Sequence, residues 1–319
     1  MALAGGVWGL IRPVAPASEA SEPRTVIIPR GATAREIGQH LADAGLVRSP
    51  WAVILAAWAL GATGSLRHGE YTLRPAQSAV EIVRALARGE HVQHRVTIPE
   101  GYTVVQVADL LAGAGLVDRQ RFLDLALRTG RRLNHPALAG LPTDSLEGYL
   151  YPDTYLFTRG LDEETVLARL LDTFDAKVGA QLRAAAAGRG LSLHALITIA
   201  SMVEREARVP DERPVIAGVI YNRLARGMRL EIDATVLYAL GEHREVVTLR
   251  DLEVDSPYNT YRRTGLPPGP IANPGLPAIE AAVYPAGVPY LYYVLRPDGR
   301  HHFSRTFEEH LDAVRRYRR

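Results

Sequence analysis

Cysteine is absent from the 319 residues, which removes disulfides, thiolate nucleophiles and cysteine metal sites together and suits, without requiring, an oxidising compartment. Charge of one sign is also lacking. The 37 basic and 35 acidic side chains leave a formal net charge of +2, so no broad field favours nucleic acid, and no nucleic-acid partner is expected. Mean hydropathy of −0.05 excludes a polytopic membrane protein and a wholly disordered chain alike. The sequence contains no Walker loop, dinucleotide fingerprint, His-Glu-x-x-His or Gly-x-Ser-x-Gly. His301, His302 and His310 are too loosely placed to read as a metal site and are assigned to surface or core. Chemistry must therefore come from oxygen and nitrogen groups, with no metal and no organic cofactor expected.

What is present begins with an uncharged apolar stretch, Met1 to Ile11, followed by Arg12-Pro13 and a soft Ala/Ser/Glu/Pro segment to Pro23. In a helix it would rise about 16 Å, roughly half a bilayer core. A membrane-anchor stub is the favoured reading; a signal-like segment or a disordered terminus are the alternatives.

An offset of 70 residues aligns Val26 to Ser49 with Val96 to Arg119, with 11 of 24 positions identical. Each copy runs from a β-branched stretch through Pro-x-Gly-x-Thr into apolar residues at helical spacing and ends in Ala-Gly-Leu-Val. Thr at the turn suits a helix N-cap, and Gly45 and Gly115 suit helix C-termini. Between the copies, Gly69 to Leu73 reads as a returning strand and Ser78 to Arg88 as a helix, so the first module is expected to be β-α-α-β-α. Beyond residue 120 helical spacing dominates over Arg121 to Arg128, Asp162 to Arg189, Ser192 to Ala207 and Pro214 to Arg226. A Pro/Gly/Asn-rich stretch, Ser256 to Pro277, interrupts it, and a loop that long is usually functional.

The segment Leu196 to Ala207 places two carboxylates at the end of an apolar helix. At 100° per residue, Glu204 and Glu206 each lie about 80° from the apolar stripe, on opposite flanks. A carboxyl against apolar walls holds its proton to higher pH and can serve as a general acid, which glycosidic bond cleavage requires. The bland alternative is a pair of helix-end charges matched by Arg205, Arg208 or Arg213. Asn222 falls on the apolar face of its helix, where it must hold a loop or a sugar. Asp233 fits the cap of a helix beginning at Ala234 better than a ligand contact. In Ser256 to Tyr261, two aromatics alternate with amide and hydroxyl groups, a mixture that suits sugar faces and equally suits a loop anchored on the core.

Five blocks carry a resemblance: LEGYLYPDTY from Leu146 to Tyr155, ASMVERE from Ala200 to Glu206, YNRL from Tyr221 to Leu224, MRLEIDATV from Met228 to Val236, and SPYNTY from Ser256 to Tyr261 with GLPPGPIANPG from Gly265 to Gly275. Together they resemble the endolytic murein transglycosylase family, the MltG or YceG-like proteins, from about residue 24 to the C-terminus. The resemblance implies an α+β chain: 1–23 an anchor stub and linker, 24–92 a small LysM-like β-α-α-β-α module, and 93–319 a larger, mainly helical catalytic domain. It implies a single-pass protein of the cytoplasmic membrane, anchored N-terminally with its catalytic domain outside. Its partners would be peptidoglycan glycan strands and cell-wall synthases.

It also implies cleavage between N-acetylmuramic acid and N-acetylglucosamine of nascent strands to give anhydro ends, which limits strand elongation. The second glutamate of the Val-Glu-x-Glu block is the catalytic one in that family, which selects Glu206, a choice the helix geometry leaves open. Glu204, Asn222, Asp233, Tyr258, Asn259 and Tyr261 are then the substrate-binding candidates. Ala234 departs from the proline that relatives often carry after the aspartate. Two competing expectations are a non-catalytic peptidoglycan-binding scaffold and a hydrolytic muramidase, which would need a second carboxylate such as Asp233 or Glu147 to position water.

Overall fold

The fold is taken from a computed structural model that describes residues 11–14, 22–241 and 247–317. Most of the apolar N-terminal stretch read as an anchor stub lies outside them. The chain divides into two compact units. The first comprises Met1–Val96, Leu110–Arg119 and Thr154–Val166; the second comprises Thr97–Asp109, Gln120–Asp153 and Leu167–Arg319. Reading the sequence as consecutive modules does not anticipate that the first unit takes in two later pieces of chain.

The first unit opens with β1 (Arg24–Ile28), α1 (Ala34–Asp43), α2 (Pro50–Ala59), β2 (Gly69–Leu73) and α3 (Ala79–Arg88), the expected β-α-α-β-α order. β1 pairs antiparallel with β2, Val26 opposite Tyr71, and its alternation buries Val26 and Ile28, as a sheet with one covered face requires. Thr33 and Glu36 form a reciprocal capping box at the start of α1, and Ser78 and Glu81 do the same for α3. Each box satisfies two amides that the first helical turn leaves free, worth about 1 kcal/mol. Ile37 and Leu41 of α1, Val53 and Ala56 of α2 and Ile82 and Leu86 of α3 close the core with Tyr71. β3 (His94–Thr97) pairs with β4 (Thr154–Phe157).

α4 (Val104–Gly113) begins the helix of the second repeat copy. Thr103 and Gln106 repeat the capping box there: the Thr103 amide donates to Gln106 Oε1 at 2.9 Å and the Gln106 amide to Thr103 Oγ1 at 3.3 Å. The remaining elements are α5 (Arg119–Arg128), α6 (Glu163–Gly188), α7 (Leu193–Glu206), α8 (Arg213–Ala225), α9 (Asp233–Leu240), α10 (Leu276–Val283), β5 (Tyr292–Leu295), β6 (His301–Ser304) and α11 (Phe307–Tyr317). α6 is broken at Gly179, where φ is 54° and ψ is 170°, a conformation open to glycine at little cost.

In the second unit α10 packs against α7 and α8, and α11 against the β5–β6 hairpin. Every residue of α7 from Leu196 to Val203 is buried, so this helix is a core element and not a surface one. Among the described residues no single helix is long and apolar enough to cross a membrane; α6 and α7 meet that test only as a pair bent by 100°. The chain is thus α+β, about half helix with short two-stranded sheets.

Candidate active site

α7 starts at Ser192, whose hydroxyl accepts from the Ala195 amide, and stops at Glu206, because Ala207 turns to an extended conformation. Its internal hydroxyls are satisfied: Thr198 donates to the His194 carbonyl, and Ser201 donates to the Thr198 carbonyl while accepting from the Ile271 amide. The helix therefore delivers its last residue from a fixed, fully bonded core.

Glu206 opens onto a cleft of about 660 Å³ whose walls include Asp233, Tyr261, Arg223, Tyr293 and His301. Part of its surface faces the cleft, while protein encloses the rest of the carboxyl group. Tyr293 donates to its Oε2 at 3.0 Å. Burial pushes the Glu206 carboxyl up to about 7; the Tyr293 hydrogen bond pulls the other way, and the nearby Asp233 charge adds to the rise. A carboxyl poised there is half protonated near neutral pH, the condition for giving and retaking one proton in a cycle.

The Tyr293 hydroxyl, donating to the carboxylate, holds that value down. Tyr293→Phe removes a donor that favours the charged form, so the Glu206 carboxyl should titrate higher and the alkaline limb of the cleavage profile should move to higher pH. A pH–rate profile of the variant checks this; an unmoved limb, or one displaced downward, contradicts the assigned hydrogen bond.

Asp233 and Tyr261 share the cleft with Glu206. The Tyr261 hydroxyl donates to Asp233 Oδ1 at 2.5 Å, and burial, then the hydrogen bond and charge of Asp233, push the tyrosine hydroxyl well above its ordinary range. The capping expectation for Asp233 is corrected. α9 begins at Asp233 itself, Ile232 occupies the cap position without a side-chain bond, and the carboxylate turns to Tyr261 instead.

The other four binding candidates are not among the residues that line this cleft; each has protein partners of its own. Glu204 accepts from the Gly275 amide at 3.0 Å and lies 3.7 Å from Arg213, so the opposite flank of α7 is closed by protein. Asn222 donates to the Val288 and Tyr290 carbonyls at 2.7 and 2.9 Å, the loop-holding alternative. Asn259 is 0% exposed, donating to the Leu252 and Val254 carbonyls and accepting from the Tyr261 amide; it fixes the loop that presents Tyr261. Tyr258 packs its ring on Tyr238 at 4.9 Å. Glu147, the other carboxylate considered for a hydrolase, is 3% exposed, accepts from the Val104 amide and the Tyr238 hydroxyl, and is absent from the cleft.

Sequence reasoning missed three cleft residues. Arg223 is 7% exposed; its Nε donates to the Leu291 carbonyl at 2.6 Å, and its Nη1 to the Arg229 and Leu230 carbonyls and the Glu231 carboxylate. It ties the strand end carrying Tyr293 to the turn before Asp233. Tyr293 and His301 arrive on the β5–β6 hairpin, where Leu295 faces His301 and Tyr293 faces Phe303. The signal for Tyr293 was available as the strand-like aromatic and aliphatic run from Tyr290 to Leu295. His301 carried none, because its partner Glu212 is 89 residues away. Among the described residues no cluster of His, Asp or Glu could hold a metal ion.

A family model described as the YceG-like family matches residues 26–316. The endolytic murein transglycosylase of Bacillus subtilis is 32% identical over 313 residues, covering 91% of this chain and 83% of the relative. The protein of the same name from Streptococcus pneumoniae serotype 2 (strain D39) is 33% identical over 318 residues, covering 90% of this chain but 57% of that longer relative. The crystal structure of a yceG-like protein from Listeria monocytogenes superposes with a TM-score of 0.64 at 36% identity, covering 92% of this chain and 100% of that one. This chain belongs to the YceG-like family.

Proposed function

We propose that this chain is a lytic transglycosylase that cuts peptidoglycan glycan strands, with Glu206 as its catalytic acid and base. One observation carries the reading: a desolvated carboxyl titrating at about 7 on the wall of a cleft large enough for sugar rings, in a chain whose relatives are named murein transglycosylases. Neutral Glu206 gives its proton to the oxygen leaving the muramic C1 as that bond breaks. The muramic C6 hydroxyl attacks C1, closing a 1,6-anhydro ring, and its proton passes to the Glu206 carboxylate. Atoms and charge balance with one carboxyl group and no water, unlike the two-carboxylate hydrolytic schemes. Cutting of nascent strands in this way would limit their elongation.

Asp233 gives the hydrolytic reading its one foothold, since it shares the cleft and its charge acts on Glu206. Its Oδ1, however, already accepts from Tyr261, which favours a structural and electrostatic role over water activation. Digestion of purified glycan strands followed by mass spectrometry separates the readings. Anhydro ends are expected; reducing ends would establish a muramidase, and intact strands would leave only the non-catalytic scaffold.

The first unit is proposed to be a LysM-like glycan-binding module. Supporting this are the β-α-α-β order and a groove of about 240 Å³ between the β1–α1 turn and the segment before β2, lined by Pro29, Thr33, Gly64 and His68 among others. Anchoring to the cytoplasmic membrane through Met1 to Ile11, with catalysis on the outer side, and contact with cell-wall synthases complete the proposal; the apolar, uncharged character of that stretch supports the anchor.

A further inference from the structure

A carboxylate that the cleavage scheme does not use, Glu212, is 5% exposed. Both its oxygens accept from the His301 backbone amide, at 3.0 and 3.2 Å, and its Oε2 lies 2.7 Å from His301 Nδ1. Arg300 stands 3.9 Å from the other oxygen but bonds Asp211 more closely, at 3.0 Å. Burying a carboxylate costs several kcal/mol unless its partners are well placed, and here the principal partner is one histidine, held by ring and backbone together.

The His301 side chain is 5% exposed, and it lines the same cleft as Glu206. Its ring stands at 83° to that of Tyr293 with centroids 5.3 Å apart, and Tyr293 is the residue that donates to Glu206. Nδ1 is taken by Glu212, while Nε2 has no hydrogen-bond partner among the described residues. In the neutral ring the anchored Nδ1 carries the hydrogen, so Nε2 offers a lone pair.

We propose that Glu212 and His301 form a second polar centre of the cleft, in which His301 presents Nε2 as an acceptor to a hydroxyl of the bound glycan strand. The proposal rests on the glycan-cutting reading of the cleft and adds to it a residue that orients the strand against Glu206. Glu212 is then a positioning residue, fixing the ring and its tautomer without touching substrate. A histidine that merely pinned the hairpin would need only its Nδ1 bond to Glu212.

Replacement by the two amides separates these roles, because asparagine mimics Nδ1 and glutamine mimics Nε2. In the full chain, His301→Gln should keep anhydro-end production within about tenfold of the unsubstituted protein, while His301→Asn should lose about 100-fold, the lower range for a positioned polar group in catalysis. Equal activities, or asparagine outperforming glutamine, overturn the proposal. Imidazole nitrogen spectra of the Glu206→Gln protein, with His301 intact, give a measurement independent of how these variants fold. The His301 Nε2 resonance should move when uncut glycan strands are added, and a resonance that stays in place while strands bind overturns the contact. If the unsubstituted chain leaves strands intact, the cleavage reading fails, and the same spectra still decide whether His301 meets glycan.

Discussion

Glu206→Gln should abolish the release of anhydro-ended fragments while leaving a folded protein that still binds glycan strands. The amide keeps the shape of the side chain and an acceptor for Tyr293 but has no proton to give. Loss of a positioned acid–base group costs about 10²- to 10⁴-fold in rate, and here one group performs both transfers, so the fall should reach the upper part of that range. Stability should move the other way. The folded chain holds the Glu206 proton more tightly, at about 7, than an unfolded carboxyl near 4.5. Between those values the folded state binds more protons, so stability from this group declines as pH rises and the whole penalty is present above about 7. Glutamine carries no such penalty, and the variant should melt no lower than the parent at pH 8. Thermal melting beside product analysis tests both halves; a variant that still yields anhydro ends removes Glu206 from the chemistry.

The largest structural effect is expected at Arg223. Arg223→Met keeps much of the stem's volume but strips donors from the Leu291, Arg229 and Leu230 carbonyls and from Glu231, and it ends the guanidinium contact with the Tyr292 ring at 4.9 Å. Buried acceptors left without donors cost about 1–3 kcal/mol each. A total loss of roughly 3–5 kcal/mol is expected, less than the sum because the exposed Glu231 recovers water. Denaturant unfolding measures it. Cleavage should fall as well, since Leu291 and Leu230 lead directly into Tyr293 and Asp233; full activity in a destabilised variant would show that the two cleft walls do not depend on this tie.

Local features of the sequence were the most legible. Thr33 marked an N-cap at the end of its turn, Ser78 marked the start of a helix, and the β-branched run from Val26 to Ile28 marked a strand. These signals are complete within a few residues. The choice between Glu204 and Glu206 was not legible from the helix, because both flanks are equivalent until distant chain covers one of them. Gly275 and Arg213 close the Glu204 side, and Tyr293 and Asp233 build the cleft on the Glu206 side. Asn222 and Asn259 have the composition of a sugar site and satisfy backbone carbonyls, and Tyr258 packs on the Tyr238 ring. Polar side chains that stiffen long irregular loops draw on the same residue types as those that bind carbohydrate, and only their hydrogen-bond partners tell them apart.

Glu206 is the final residue of α7, and this position has an electrical consequence. The peptide dipoles of a helix add to roughly half a negative charge at its C-terminal end. A carboxylate formed there after cleavage is repelled by the backbone that carries it, so the spent state is the less comfortable one and the proton is drawn back. In the proposed scheme, the helix that carries Glu206 thereby favours return of the C6 hydroxyl proton to its own acid.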